Sequence, residues 1–197
     1  MMNLIERLNV LLQATVFKNT VQEYAVAILT FLILLLGLSF AKRLVVYHLG
    51  KLAAKTVGDF DDFIVMLISK IGWSVFIVVS LYVATSGLIL PDTLRMLVRY
   101  AAVFVITIRS ILLLQEIIQY SVNKTLLKRM GSDTPSSQAM IKSVVWLLKW
   151  VMWVLGVIFI LDNLGVNITS LVAGIGIGGI AVAMASQAVL GDAFSAL

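Results

Sequence analysis

Residues 173–188 read AGIGIGGIAVAMASQA, and this stretch decides how the rest of the chain is interpreted. It is apolar, and most of its residues are glycine, alanine or serine. Four glycines fall within six positions, although each costs a helix about 1 kcal/mol relative to alanine. In a membrane, small residues let neighbouring helices approach until their backbones are nearly in contact. The stretch therefore predicts a membrane helix that packs very closely against other helices.

The small residues of this stretch lie on more than one face of the predicted helix. Side chains four positions apart stack on one face, and three pairs of small residues have this spacing: Gly174 and Gly178, Gly179 and Ala183, and Ala181 and Ala185. Small surfaces on two flanks predict that each copy of the helix contacts two neighbours, as in a ring of identical helices. Tight packing inside an unrelated transporter is the alternative.

Two large residues, Ile180 and Met184, interrupt the small ones and share one helix face because they are four positions apart. If this face points to the axis of a ring, the copies form two successive apolar collars. Narrow hydrophobic constrictions close channels by dewetting, because ions do not cross without a hydration shell. Ordinary apolar packing against a neighbouring helix is the alternative interpretation.

The composition of the whole chain agrees with a membrane protein. Its 197 residues are 61% hydrophobic and 13% charged, with a mean hydropathy of +1.06, whereas soluble domains are about 45–50% apolar and about 25% charged. The net charge of +5 is not gathered into a basic block, so we expect no nucleic-acid partner. The chain has no cysteine and one histidine, which argues against cysteine- or histidine-based catalysis and metal sites.

Five apolar stretches are long enough to cross a bilayer as helices, which takes about 20 residues. They lie at about Val21–Phe40, Phe63–Leu90, Leu94–Tyr120, Ile141–Leu161 and Ile168–Leu190, with Lys70 breaking the second one early. Apolar runs of this length favour helices over the alternating strands of a barrel. The predicted fold is an all-α membrane protein with five transmembrane helices. Turn residues at Pro91-Asp92, 131–137 and 162–165 separate the later ones.

The N-terminal residues and the loop charges predict the topology. Apolar residues at helical spacing predict an amphipathic surface helix over residues 3–18, with a disordered tail as the alternative. Eight basic residues flank one side of the predicted membrane and four flank the other. Because cytoplasmic loops carry the excess of lysine and arginine, we expect the N-terminus outside and the C-terminus inside.

Ionisable side chains within the predicted spans are candidates for function, because they are costly in lipid. Arg109 lies near the middle of the third span with no acidic residue one turn away, so it requires a partner on another helix or a lipid phosphate. Lys149 and Lys70 lie nearer the inner ends of their spans, where long side chains reach lipid headgroups.

The C-terminal region resembles a known family. Residues 164–171 read LGVNITSL, residues 173–187 continue as AGIGIGGIAVAMASQ, and Leu190-Gly191-Asp192 follow. In order and spacing they resemble the pore segment of the small-conductance mechanosensitive channel family, over about residues 162–197. Phe60-Asp61-Asp62-Phe63 is also similar to larger members that have extra helices before the core.

The resemblance implies a homoheptamer whose fifth membrane helix lines the pore. Ile180 and Met184 fall where the family places its two apolar gate rings. The helix-packing face of the family corresponds here to Gly176, Gly179 and Ala183.

Two departures from the family pattern lie near the end of the pore helix. Gln187 matches the glutamine that precedes the family's bend, but Ala188 stands where the family commonly has glycine. The resemblance therefore implies a bend that is stiffer or displaced toward Gly191. Asp192 occupies a position that is often asparagine, which would place a ring of negative charge at the inner mouth.

The expected function is a mechanosensitive channel of the bacterial inner membrane, opened by tension and releasing ions and small osmolytes during hypo-osmotic stress. Residues 1–20 form the N-terminal segment, 21–161 the four-helix sensor region, and 162–197 the pore helix with the start of the post-bend helix. The family's cytoplasmic β-rich and mixed vestibule is expected to be absent from this chain. Membrane lipids are the expected gating ligands, with no other cofactor.

A secondary transporter or exporter subunit is the alternative function. We do not expect an enzyme, because the sequence has no HExxH or GxSxG motif and no facing carboxylate pair.

Overall fold

A computed structural model describes the backbone of residues 15–53, 59–130 and 135–195, and the side chains of residues 17–52, 61–122, 139 and 141–187. Within these ranges a short hairpin precedes six helices. The elements are β1 (Thr15–Val16), β2 (Asn19–Thr20), α1 (Val21–Ala53), α2 (Asp59–Ser69), α3 (Trp73–Ser86), α4 (Asp92–Met130), α5 (Pro135–Asn163) and α6 (Thr169–Ser195). The chain divides into two compact units, Met1–Gly156 and Val157–Leu197.

Four of these helices, α1, α4, α5 and α6, are long and apolar enough to cross a membrane. A fifth crossing is formed if the bent pair of α2 and α3 counts as one broken span. Their backbone polar groups bond within each helix, as lipid requires. The chain is therefore an all-α, multi-pass membrane protein. α1 continues to Ala53, beyond the predicted end at Phe40.

The second predicted span is not one helix. α2 and α3 meet at 62° across residues 70–72, where Gly72 adopts an extended conformation. A break of this kind frees backbone carbonyls that water cannot reach in a membrane. Lys42 of α1 satisfies two of them, because its Nζ lies 2.7 Å from the Ser69 oxygen and 2.6 Å from the Ile71 oxygen. A distant lysine therefore stabilises the break.

The predicted amphipathic helix over residues 3–18 is wrong for its last residues, and residues 1–14 lie outside the described part of the chain. β1 and β2 pair antiparallel, and Phe17 and Lys18 form the turn with positive φ. Asn19 is fully buried. Its Oδ1 accepts the Ile89 N–H at 2.7 Å and its Nδ2 donates to the Ile89 oxygen at 2.9 Å. Burial of this amide is offset by these bonds, which favour the hairpin.

The first unit is organised around α3, which contacts both α1 and α4. Its buried residues Phe76, Ser80 and Ala84 recur every fourth position and so lie on one face. Phe63 of α2 stacks on Tyr120 of α4, with ring centroids 3.9 Å apart. These contacts fix the bent pair against α4.

Gly156 lets α5 approach α4 closely, and its replacement by valine is expected to destabilise the first unit. A Cβ at this position would collide with Cδ1 of Ile111 and lie 3.2 Å from its Cγ1. Overpacking of this kind costs about 1–3 kcal/mol. Thermal unfolding in detergent measures the effect. Gly37→Val is the matched control, because a Cβ at Gly37 of α1 meets no atom within 4 Å among the described residues. Equal melting temperatures of the two variants would contradict the prediction.

Candidate pore helix and charged cluster

The turn before α6 is set by a glycine and an asparagine. Gly165 has a φ of +82°, its N–H bonds the Asp162 oxygen at 2.9 Å, and the Val166 N–H bonds the Leu161 oxygen at 3.0 Å. This is the Schellman pattern that ends a helix with glycine in the left-handed region. The turn predicted at residues 162–165 is confirmed. The Oδ1 of Asn167 then accepts the N–H of Thr169, the first residue of α6, at 3.0 Å.

The small residues of α6 form two stripes. α6 is continuous from Thr169 to Ser195, and each residue advances about 100° around a helix with 3.6 residues per turn. The first small stripe consists of Gly174, Gly178, Ala181 and Ala185. The second small stripe, about half a turn away, consists of Gly176, Gly179 and Ala183. A Cβ added to any of the four glycines meets no atom within 4 Å among the described residues.

Between Gly174 and Ala185, the large residues of α6 lie on the two sides between the small stripes. Ile180 and Met184 share one side with Ile177, whereas Val182 and Ile175 lie on the opposite side. Ile180 is 63% exposed, and both Met184 and Val182 are 67% exposed. The exposed fractions of these side chains therefore do not distinguish the two sides of α6. The two sides differ only in where they lie relative to the two small stripes.

The last predicted site residues lie near the end of α6. Gln187 is exposed, and the helix continues without interruption through Ala188 and Gly191. The side chains of Ala188 and Asp192 and the surroundings of Gly191 lie outside the described residues. The bend and the ring of negative charge stay predictions.

Three further predicted residues, Lys70, Arg109 and Lys149, lie in the first unit and form a charged cluster with Glu116. The Nε of Arg109 donates to the Ser74 Oγ at 2.9 Å, so this arginine has its partner on another helix. Lys149 donates from Nζ to the Gln119 Oε1 at 2.9 Å.

Lys70 pairs with Glu116 at 2.5 Å. Both lysines therefore contact α4, a role that the expectation of lipid contact did not include. Sequence reasoning also missed Lys42 and Glu116. The closeness of Lys70 and Gly72 within an apolar run was the available signal for a break.

Comparisons with known proteins connect the chain to one family. Residues 146–187, from within α5 to the end of the described side chains of α6, match the family of the mechanosensitive ion channel, transmembrane helices 2/3. The chain is also similar to the large-conductance mechanosensitive channel MscMJLR of Methanocaldococcus jannaschii, with 26% identity over 183 residues. This similarity covers 91% of the chain and 50% of the relative, so the chain spans about half the length of that relative. No solved structure matches the chain.

These matches can be compared with the resemblance of residues 162–197 to a channel pore segment. The family match includes both small stripes and the Ile180–Met184 side of α6. The relative is a large-conductance channel by name, so the small-conductance class stays a prediction. The glycine-rich helix, the family match and the relative agree in relating this chain to mechanosensitive ion channels.

Proposed function

We propose that this chain forms the membrane part of a homo-oligomeric ion channel that membrane tension opens, with α6 lining the pore. The observation that carries the proposal is the pair of small stripes on opposite sides of an apolar, exposed helix, where a Cβ built on any of the four glycines meets no atom within 4 Å in the described part of the chain. In a ring of copies, each α6 contacts one neighbour through each stripe. The glycines, which weaken the helix itself, then allow neighbouring copies to pack closely in the ring.

With both small stripes in contact with neighbouring copies, two sides of α6 remain. One of them faces the pore axis, and the other faces away from it. We assign the Ile180–Met184 side to the axis, because two large residues one turn apart form successive collars. A closed throat lined by these collars is dry, and a wider throat rewets and conducts. Membrane tension favours the state with the larger in-plane area, so it opens the pore. Lipids that contact the outer helices act on the same equilibrium.

The family resemblance supplies the finer parts of the proposal. These are a heptameric ring, release of ions and small osmolytes under hypo-osmotic stress, and insertion in a bacterial inner membrane with the C-terminus inside. The eight basic residues predicted on one side, against four on the other, support that orientation.

The complete protein tests the proposal by patch recording in liposomes under graded suction. We expect stepwise currents whose open probability rises with tension. Cells lacking other mechanosensitive channels should also survive a sudden drop in osmolarity when they express the protein. If patches that contain folded protein carry no current at any tension up to membrane rupture, a tension-gated channel is excluded.

One observation favours a secondary transporter as a second candidate. Transporters place broken helices and ionisable groups within the membrane, and the break between α2 and α3 lies beside Lys70 and Arg109. A transporter predicts saturable solute uptake driven by a proton or sodium gradient. A channel predicts tension-dependent current without such coupling.

A further inference from the structure

A cavity of about 340 Å³ lies beside the break between α2 and α3, and its walls include residues of α4 and α5. The cavity is lined by three cations (Lys70, Arg109 and Lys149) and by one carboxylate (Glu116). Three positive charges and one negative charge leave a net charge of +2. Glu116 pairs with Lys70, whereas the bonds of Arg109 and Lys149 go to the neutral side chains of Ser74 and Gln119.

Two uncharged features at the cavity also favour an anion. Gln115 lines the cavity, and its Nε2 is buried without a hydrogen-bond acceptor. Such a buried donor is destabilising unless an acceptor is supplied. In addition, α3 begins at Trp73, and no side chain caps its first N–H groups at Gly72. Arg109 lies next to this helix start, because a Cβ built on Gly72 would be 2.7 Å from the guanidinium carbon of Arg109. The positive end of a helix and a guanidinium repel each other unless an anion lies near both.

We propose that this cavity binds a negatively charged phosphate group. Phosphate oxygens accept paired hydrogen bonds from a guanidinium, and lysine binds phosphate as a point charge. Arg109 and Lys149 supply the charge, and Gln115 supplies a further donor once its side chain rotates to bring the buried Nε2 to the ligand. The phosphate comes either from the headgroup of an anionic phospholipid or from a soluble phosphate. The proposal does not depend on channel activity, because it uses only contacts within the first unit.

The test measures ligand binding to the delipidated, full-length protein in detergent by native mass spectrometry. The probes are phosphatidic acid, phosphatidylcholine with the same acyl chains, and inorganic phosphate. We expect phosphatidic acid or inorganic phosphate to bind once per chain, and Lys149→Gln to weaken this binding about tenfold, since it removes one charge-assisted hydrogen bond. Lys142→Gln is the matched control on the same helix, because Lys142 is exposed and does not line the cavity. It is expected to change affinity less than twofold.

The probes distinguish the two sources of phosphate. A lipid headgroup is the source if phosphatidic acid binds and millimolar inorganic phosphate does not displace it. A soluble phosphate is the source if inorganic phosphate alone saturates the site. Either result supports the proposal when the Lys149 variant is the weaker one. The proposal is overturned if inorganic phosphate does not bind and phosphatidic acid binds no more tightly than phosphatidylcholine, or if the Lys149 and Lys142 variants lose binding equally.

A second variant separates binding from folding. Gln115→Leu removes the buried donor that lacks an acceptor, so the ligand-free protein should unfold at the same temperature or higher. The stabilisation that the bound phosphate ligand adds should shrink in this variant, because stabilisation follows ligand affinity. A variant that lowers the melting temperature without ligand, and leaves the ligand-induced increase unchanged, means that Gln115 has a purely structural role and contradicts the proposal.

Discussion

Replacing Ile180 by serine or Met184 by aspartate is expected to lower the membrane tension at which the channel opens, with open events at rest in the aspartate variant. Opening exposes these side chains to water, and full exposure of one large apolar side chain costs about 1.5–3 kcal/mol. In the proposed ring this cost arises in every copy, so removing it shifts the equilibrium strongly. Aspartates in a narrow ring also repel one another, which favours the wider state.

Patch recordings of the complete protein measure this shift as the ratio of the tension midpoints of variant and wild type. Val182→Ser is the matched control, because Val182 is as exposed as Met184 in the single chain and lies on the opposite side of α6. It should leave the midpoint near the wild-type value. If the Val182 variant shifts the midpoint and the Ile180 and Met184 variants do not, the pore axis lies on the other side of the helix. Unchanged gating in all three variants excludes α6 as the gate.

Replacing Gly176 or Gly179 by leucine is expected to break the oligomer while leaving the folded chain intact. Leucine favours a helix over glycine by nearly 1 kcal/mol, and a Cβ at either position meets no atom within 4 Å among the described residues. A leucine side chain does not fit between two helices in close contact, and overpacking costs about 1–3 kcal/mol at each interface. The ring repeats this cost at every contact between neighbours.

Light scattering of the detergent-solubilised, full-length protein measures the loss of the oligomer, and circular dichroism measures the retained helix. Gly37→Leu is the matched control, because Gly37 is an exposed glycine of a membrane helix with the same open surroundings. It should leave the oligomer unchanged. A full-sized oligomer in both pore-helix variants means that the second small stripe does not form the interface between copies.

Local signals predicted the parts of the fold that local contacts determine. The turn at Gly165 was predictable because a Schellman motif needs only residues within one turn of the helix end and a glycine with positive φ. The start of α1 is also determined by local contacts. Thr20 and Glu23 form a capping box, in which the Thr20 N–H bonds the Glu23 carboxylate at 2.7 Å and the Glu23 N–H bonds the Thr20 hydroxyl at 3.2 Å.

Contacts between residues far apart in sequence decided what the pattern did not predict. The hairpin over residues 15–20 depends on Asn19 bonding Ile89, 70 positions away. The break after Ser69 depends on Lys42, 27 positions away. Taken alone, Asn19 is an ordinary polar residue of the N-terminal segment, and Lys42 is an ordinary loop cation. Their actual roles require knowing which helices are neighbours.

The sequence by itself determined that this is a multi-spanning helical membrane protein with one glycine-rich helix, because hydropathy, residue size and helix periodicity are properties of contiguous stretches. The tertiary structure alone decided that two helices meet at 62° at the break in the second span and that Lys42 satisfies its carbonyls. It also decided that Lys70, Arg109 and Lys149 line one cavity. A charge buried in a membrane is stabilised only by partners that the folded chain brings within hydrogen-bond distance, and those partners lie on other helices.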